Sequence, residues 1–220
     1  MKIGFDAKRY YHNRTGLGNY SRTLVGNISA MHPDAEACLY DCKAMERTFR
    51  LGRRAQDDGC DVFHGLSNEL PRDIARRGLP SVVTMHDVAW RTFPDMYKPW
   101  DRVIYDWKYG WSARHATHVV CISESTKRDV IRFYGVPEQR ISVIYQPAQT
   151  TFYEQMDKVE AARRVSEALP YLNSEPYILT VGSINSRKNL LGMVKAYERL
   201  PRDSRPHFVV VGDGGEDRKT

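Results

Sequence analysis

Short apolar runs alternate with stretches of helical spacing along almost the whole chain, and this alternation limits the available folds more than any single motif does. KIGFD (2–6), ACLYD (37–41), DVFH (61–64), SVVTM (81–85), THVVCI (117–122) and ISVIYQP (141–147) read as strands. The polar loop AKRYYHNRTGLGN after the first strand leads into a helix in which Leu17, Tyr20, Leu24, Ile28 and Met31 share one face, stopped by Pro33. Helices are also expected over the basic, weakly periodic stretch 43–57 and over 124–135. Strands and helices in this order predict an α/β fold, a Rossmann-like doubly wound parallel sheet, over residues 1–170. Residues 148–175, with the helical DKVEAARRVSEAL, read as a crossing segment. A second sheet starts at Tyr177, where the continuous apolar run to Val181 suits a strand buried on both faces, and HFVVVG (207–212) supplies its next strand. Residues 171–220 are therefore expected to hold a linker and the start of a second Rossmann-like domain. Two strands and one helix cannot cover a sheet on both faces, so that domain is expected to be incomplete at Thr220.

Composition narrows the function. The 220 residues are 41% hydrophobic and 27% charged, with no apolar run near the ~20 residues of a membrane span. Met1-Lys2 leads straight into a strand, so no signal peptide is expected and the reading is cytoplasmic. A net charge of +6 favours anionic partners. The bases are scattered and not set among aromatics in a stripe, so nucleic acid is not expected. Cys38, Cys42, Cys60 and Cys121 form no zinc-type set and read as free thiols. No metal signature such as H-E-x-x-H is present, so neither metal nor cofactor is expected.

Several residues stand where chemistry is plausible. After the strand at Tyr177, Gly182 makes a turn, followed by Ser183, Asn185, Ser186, then Arg187 and Lys188 ahead of a helix. Backbone N–H groups, a helix amino end and two cations suit a phosphate, although a surface turn with two solvated bases has the same sequence. GLGNYS (16–21) falls short of a dinucleotide fingerprint, because nine residues separate Asp6 from Gly16 and Ser21 replaces the last glycine. A glycine-rich loop beside a helix amino end remains. His86-Asp87, ending the strand SVVTM, is the best polar pair for a reacting centre, and a capped strand end is the plainer account. His64 ends the neighbouring strand, so two strand ends carry histidine towards one crevice. Trp100, Val103, Ile104, Trp107 and Trp111 recur at helical spacing; core packing is the expected role, with a membrane- or acceptor-facing surface as the alternative.

The ordered set TGLGNYSRTL, HGLSNELP, VVTMHDVAW, VVCISESTKRDV, ILTVGSINSRKNL and FVVVGDG resembles the retaining GT-B glycosyltransferases of family 4 (group 1), and mannosyltransferases among them. The resemblance covers essentially the whole chain. It implies an acceptor domain over the first ~170 residues and a nucleotide-sugar domain opening near Tyr177 and continuing past residue 220. It implies transfer of a hexose, with retention, from a nucleotide-sugar donor to a glycan or lipid-linked acceptor, with possible peripheral contact at the inner face of a membrane. On that reading His86 and Asp87 are the catalytic candidates, His86 lying against the transferred sugar. Gly16, Gly18, Ser183, Arg187 and Lys188 would hold the donor diphosphate, Ser183 standing where many relatives carry arginine. His64, Asn19 and Ser123 would contact acceptor or sugar. A noncatalytic acceptor-binding module is the alternative.

Overall fold

The computed structural model describes residues 1–172 and 175–212, which fall into two compact units, Met1–Thr150 and the segment from Thr151 on. The division therefore lies about twenty residues before the boundary read from the sequence. The helix over residues 158–168 belongs to the second unit, where its Ala161, Ala162 and Val165 lie beside Leu172 and Tyr177.

In the first unit the elements run β1 (Lys2–Asp6), α1 (Lys8–His12), α2 (Gly16–Met31), β2 (Glu36–Tyr40), α3 (Ala44–Phe49), α4 (Leu51–Asp57), β3 (Val62–Gly65) and β4 (Ser81–Met85). They continue through α5 (Ala89–Thr92), α6 (Pro99–Tyr105), a π-helical turn (Asp106–Gly110), α7 (Trp111–His115), β5 (His118–Cys121), α8 (Glu124–Tyr134) and β6 (Ile141–Val143). The six strands pair in parallel in the order β2-β1-β3-β4-β5-β6. The order reverses between β1 and β3, and sheets of this kind leave a crevice outside the carboxyl ends of such a pair.

Helices cover both faces. On one, Tyr20 and Val25 of α2 pack with Ile3, Phe5 and Leu66. On the other, Leu51 and Ala55 of α4, Ala113 of α7 and Val130 and Tyr134 of α8 pack over Phe63, Val83, Met85 and Val119. Each fully buried Leu, Val or Phe contributes about 1.5–3 kcal/mol over its exposed state, so the covered parallel sheet is the main source of stability. The four cysteines are free thiols, three of them buried.

Within the first unit three expectations change. The stretch 43–57 is two helices, because Arg50 (φ −133°, ψ −9°) leaves the helical region between α3 and α4. The loop after β1 contains α1, and Gly16 and Gly18 lie inside the first turn of α2 instead of in a glycine-rich loop. The Trp100 stripe is largely outside the core: Trp100 is 77% exposed and Trp107 49%, with Val103 and Ile104 also exposed. Tyr105 and Tyr109, stacked on each other at 5.4 Å, take the inner face against buried Trp90.

The second unit holds α9 (Lys158–Ala168), β7 (Tyr177–Val181), a 3-10 turn (Ser186–Lys188), α10 (Leu190–Glu198) and β8 (His207–Val211). Asp157 caps α9 by accepting from the N–H groups of Val159 and Glu160. Ala161, Ala162 and Val165 of α9 line a small depression with Leu172 and Tyr177. β7 and β8 pair in parallel over their full length, as expected of an α/β unit. The expected two-sided burial of β7 is not met: Ile178, Leu179 and Val181 are exposed, since among the described residues β8 is its one partner strand. Asp213 and Gly214, which end FVVVGDG, lie outside the described residues.

Candidate active site

His86 follows β4 directly and is buried, with every polar atom engaged. Its N–H donates to Asn68 Oδ1 (2.7 Å), and its carbonyl accepts from the Thr126 hydroxyl (3.1 Å). Asn68 sits at φ +61°, a left-handed conformation asparagine tolerates better than most residues, and its own N–H donates to the Thr84 carbonyl. Around the ring, Nε2 lies 2.9 Å from the Leu66 carbonyl and Nδ1 2.8 Å from the Gln146 amide nitrogen. A carbonyl only accepts, so Nε2 carries the proton and Nδ1 accepts from Gln146. Burial lowers the His86 pKa; the bond to Leu66 and the charge of Asp87 act the other way without restoring it. His86 is therefore neutral near pH 7, with one acceptor atom turned towards an exposed side chain.

The other strand-end histidine joins it through Thr84 and Tyr20. His64 Nε2 and the Tyr20 hydroxyl each lie 2.9 Å from Thr84 Oγ1, and the Tyr20 ring meets the His86 ring edge-on at 4.8 Å. Burial, then repulsion from His86, brings the His64 pKa from 6.5 down to about 4. Burial also raises that of Tyr20. The unfolded chain thus takes up a proton at His64 between about pH 6.5 and 4 that the folded chain refuses. Stability from this site is complete above pH 6.5 and falls as pH drops to about 4, by on the order of 2–3 kcal/mol. Urea midpoints measured across this range for the protein and for His64→Gln check it: the slope is expected to flatten in the variant.

The remaining first-unit candidates serve local structure. Asp87 is exposed and accepts from the Ala89 N–H (3.1 Å), holding the start of α5. Ser123 caps α8: its Oγ accepts from the Thr126 N–H (3.1 Å) and lies 3.0 Å from the Thr126 hydroxyl, which reaches the His86 carbonyl. Ser123 therefore acts on His86 at one remove. Asn19 accepts from Arg22 Nη2 (2.7 Å). Gly18 is glycine for steric reasons, since a Cβ there would lie 1.7 Å from the Asn13 carbonyl oxygen, and its N–H donates to Asn13 Oδ1. Gly16 is exposed with open space beside it.

In the second unit Gly182 adopts φ +151°, open to glycine and strained for other residues. Ser183 and Lys188 share a pocket of about 130 Å³ with Gly182, Leu190 and Met193. Asn185 Oδ1 accepts the Lys188 N–H (3.1 Å) and fixes the turn. Arg187 is exposed and outside that pocket. Among the described residues neither Lys188 nor Arg187 enters an ion pair, and no group of three His, Cys, Asp or Glu side chains is placed to hold a metal.

Sequence reasoning missed the partners of the histidines. Tyr20 counted as a helix-face residue and Thr84 as a strand residue; the packing of α2 on the sheet brings them together. It also missed a buried charge cluster at the carboxyl ends of β1 and β3. Arg47 spans Asp6 Oδ2 (2.6 Å from Nη2) and Glu69 Oε2 (2.7 Å from Nη1), and Lys108 Nζ lies 3.2 Å from Glu69 Oε1. Desolvation opposes the charge on Arg47, but Asp6 and Glu69 more than offset it, so its pKa is raised. No local spacing signals this cluster.

Comparison with known proteins agrees with the fold. O-antigen chain mannosyltransferase B of Escherichia coli is 28% identical over 257 aligned positions, covering 97% of this chain and 64% of that protein. The chain thus spans less than two thirds of that relative. HepE of Anabaena, solved in complex with UDP-glucose, superposes with a TM-score of 0.68 at 15% identity, over 99% of this chain and 63% of HepE. WaaG, a glycosyltransferase involved in lipopolysaccharide biosynthesis, does so with a TM-score of 0.65 at 15% identity, over 96% of this chain and 62% of WaaG. At these identities the two structures bear on the fold alone, and both share this parallel α/β architecture. The sequence itself matches glycosyltransferase family 4 over residues 19–152, well over half of its length and inclusive of both strand-end histidines; the chain belongs to that family.

Proposed function

We propose that the protein transfers a hexose, mannose being the first to test, from a nucleotide-sugar donor to a glycan or lipid-linked acceptor with retention of configuration. It needs no metal or cofactor and works at the inner face of a membrane in cell-surface polysaccharide assembly. The mannosyltransferase relative and the UDP-glucose held by HepE support the sugar and donor classes. The observation that carries the proposal is His86: a buried, neutral imidazole at a strand end, its proton fixed on Nε2 and its Nδ1 left as an acceptor facing the exposed Gln146. A sugar hydroxyl is a donor that can replace the Gln146 amide there. Breaking a glycosyl–phosphate bond develops negative charge on the diphosphate, and Lys188, with Ser183 beside it and Arg187 on the same turn, supplies charge and hydrogen bonds of the right kind. Gly16, in the first turn of α2, offers a backbone N–H that Gly18 does not.

Calorimetric titration with GDP-mannose and UDP-glucose, and transfer assayed against a lipid-linked oligosaccharide, test the reading. Saturable binding of one nucleotide sugar and transfer of its hexose are expected. Acceptor binding without any nucleotide binding would favour the noncatalytic module and end the transferase reading.

A further inference from the structure

The transfer chemistry leaves one charged group without a role or a partner. Arg9 stands in α1, three residues past the end of β1, and is half-buried. Its Nε is enclosed with no hydrogen-bond partner, and among the described residues its guanidinium enters no ion pair. Enclosing a guanidinium N–H without an acceptor is costly, and an orphan of this kind in a folded protein calls for a ligand that completes it.

The surroundings set the charge of that ligand. Asp6 and Glu69, the carboxylates at this end of β1 and β3, are already taken: Arg47 holds both, and Lys108 Nζ lies against Glu69 Oε1. Arg9, Arg47 and Lys108 thus face two carboxylates, and the surplus charge is positive. Tyr109 adds a donor. The charges of Arg9 and Arg47 act on its phenol, so both guanidiniums lie within electrostatic reach of it. Burial first, then Glu69 and Tyr105, outweigh them and push the phenol up to about 12, so it keeps its proton at neutral pH. No hydrogen bond among the described residues occupies that hydroxyl. Stacking on Tyr105 and edge-on contact with Trp90 hold the ring in place.

A guanidinium fork, a fixed phenol O–H and a half-buried ammonium are donors with no free acceptor among them. Oxygens that share a negative charge fit this set, whereas a neutral hydroxyl would leave the surplus charge unmatched. The strand order reverses between β1 and β3, and the Leu66 carbonyl just past β3 accepts from His86, so this group and the His86 ring stand on the same edge of the sheet. We propose that Arg9, Tyr109 and Lys108 bind an anionic group, a phosphate or a carboxylate, and that this group belongs to the acceptor, which is then a sugar phosphate or an acidic sugar and not a neutral glycan. Calling the ligand the acceptor rests on the transferase reading; binding of the anion does not.

Titration of the protein, without donor, by mannose 6-phosphate, glucuronic acid and methyl mannoside, followed by NMR, tests it. Saturable binding of at least one of the two anions is expected, weakened by salt, with none of the neutral glycoside at the same concentrations. The anion that saturates first identifies the group as phosphate or carboxylate. Arg9→Met and Tyr109→Phe are each expected to weaken that binding roughly tenfold. Loss of an unpartnered cation is expected to leave the urea midpoint unchanged or raised, where loss of a structural arginine would lower it. Tyr109→Phe removes one oxygen and carries the test should Arg9→Met fail to fold. In the transfer assay Arg9→Met is expected to raise KM for an anionic acceptor roughly tenfold with kcat little changed. No anion binding, equal binding of methyl mannoside, binding unchanged in both variants, or a lower urea midpoint in both would each overturn the proposal. Binding lost in Lys188→Ala but kept in Arg9→Met would overturn it too, by assigning the anion to the second unit. Should the anions bind as expected while no nucleotide sugar does, the transferase reading falls and the anion site remains.

Discussion

Arg47→Met is expected to cost the first unit about 3–5 kcal/mol, the largest effect of any single substitution discussed. The guanidinium is buried between Asp6 and Glu69, which are themselves buried, and its Nε and Nη2 both reach Asp6 Oδ2. Removing it leaves one carboxylate with a backbone N–H (Lys8, 3.3 Å) and the other with a half-buried lysine. Neither replaces a buried cation. Chemical denaturation followed by circular dichroism measures the loss. Adding Asp6→Asn and Glu69→Gln to Arg47→Met is expected to recover much of it, because the cost lies in the unpaired charge more than in the lost attraction. A variant as stable as the parent would mean that water reaches the two carboxylates.

Lys188→Ala is expected to lower turnover of a nucleotide-sugar donor by on the order of 100-fold while leaving the unfolding transition in place. Asn185 and Ser186 hold the turn through backbone hydrogen bonds, so the lysine side chain contributes nothing to its folding that the described contacts reveal. A cation meeting charge that develops in the transition state affects kcat more than KM. Lys188→Arg, which keeps the charge, is expected to retain part of the rate. Initial rates at saturating donor separate these outcomes, and an unchanged kcat would remove Lys188 from the reaction.

The two predictions rest on residues that differ in how openly the sequence displays them. Lys188 stands in a strand–glycine–turn–helix pattern that local rules read directly, and strands 2–6, 81–85 and 177–181 coincide with β1, β4 and β7. Arg47 lies in a stretch where the periodicity is weak because two short helices meet at Arg50, so nothing local marks it as buried. The Trp100 stripe misled for a related reason. Helical spacing says which side chains share a face but not which way that face turns, and here Tyr105 and Tyr109 face the core. Gly18 is a similar case, its lack of a side chain answering to the Asn13 carbonyl and not to a ligand.

Alternation of apolar runs with amphipathic stretches was enough to determine a parallel α/β sheet, its strand positions and the two strand-end histidines, because period and burial are properties of short segments. Strand order, the direction each helix face points and the identity of each buried polar partner were decided only in three dimensions. Tyr20, Thr84 and His64 meet across as many as 64 residues of chain, and Arg47 meets Asp6 across 41. Such pairings follow from the parallel register of β1, β3 and β4 and from the packing of α2 and α3 on that sheet, which no local pattern encodes.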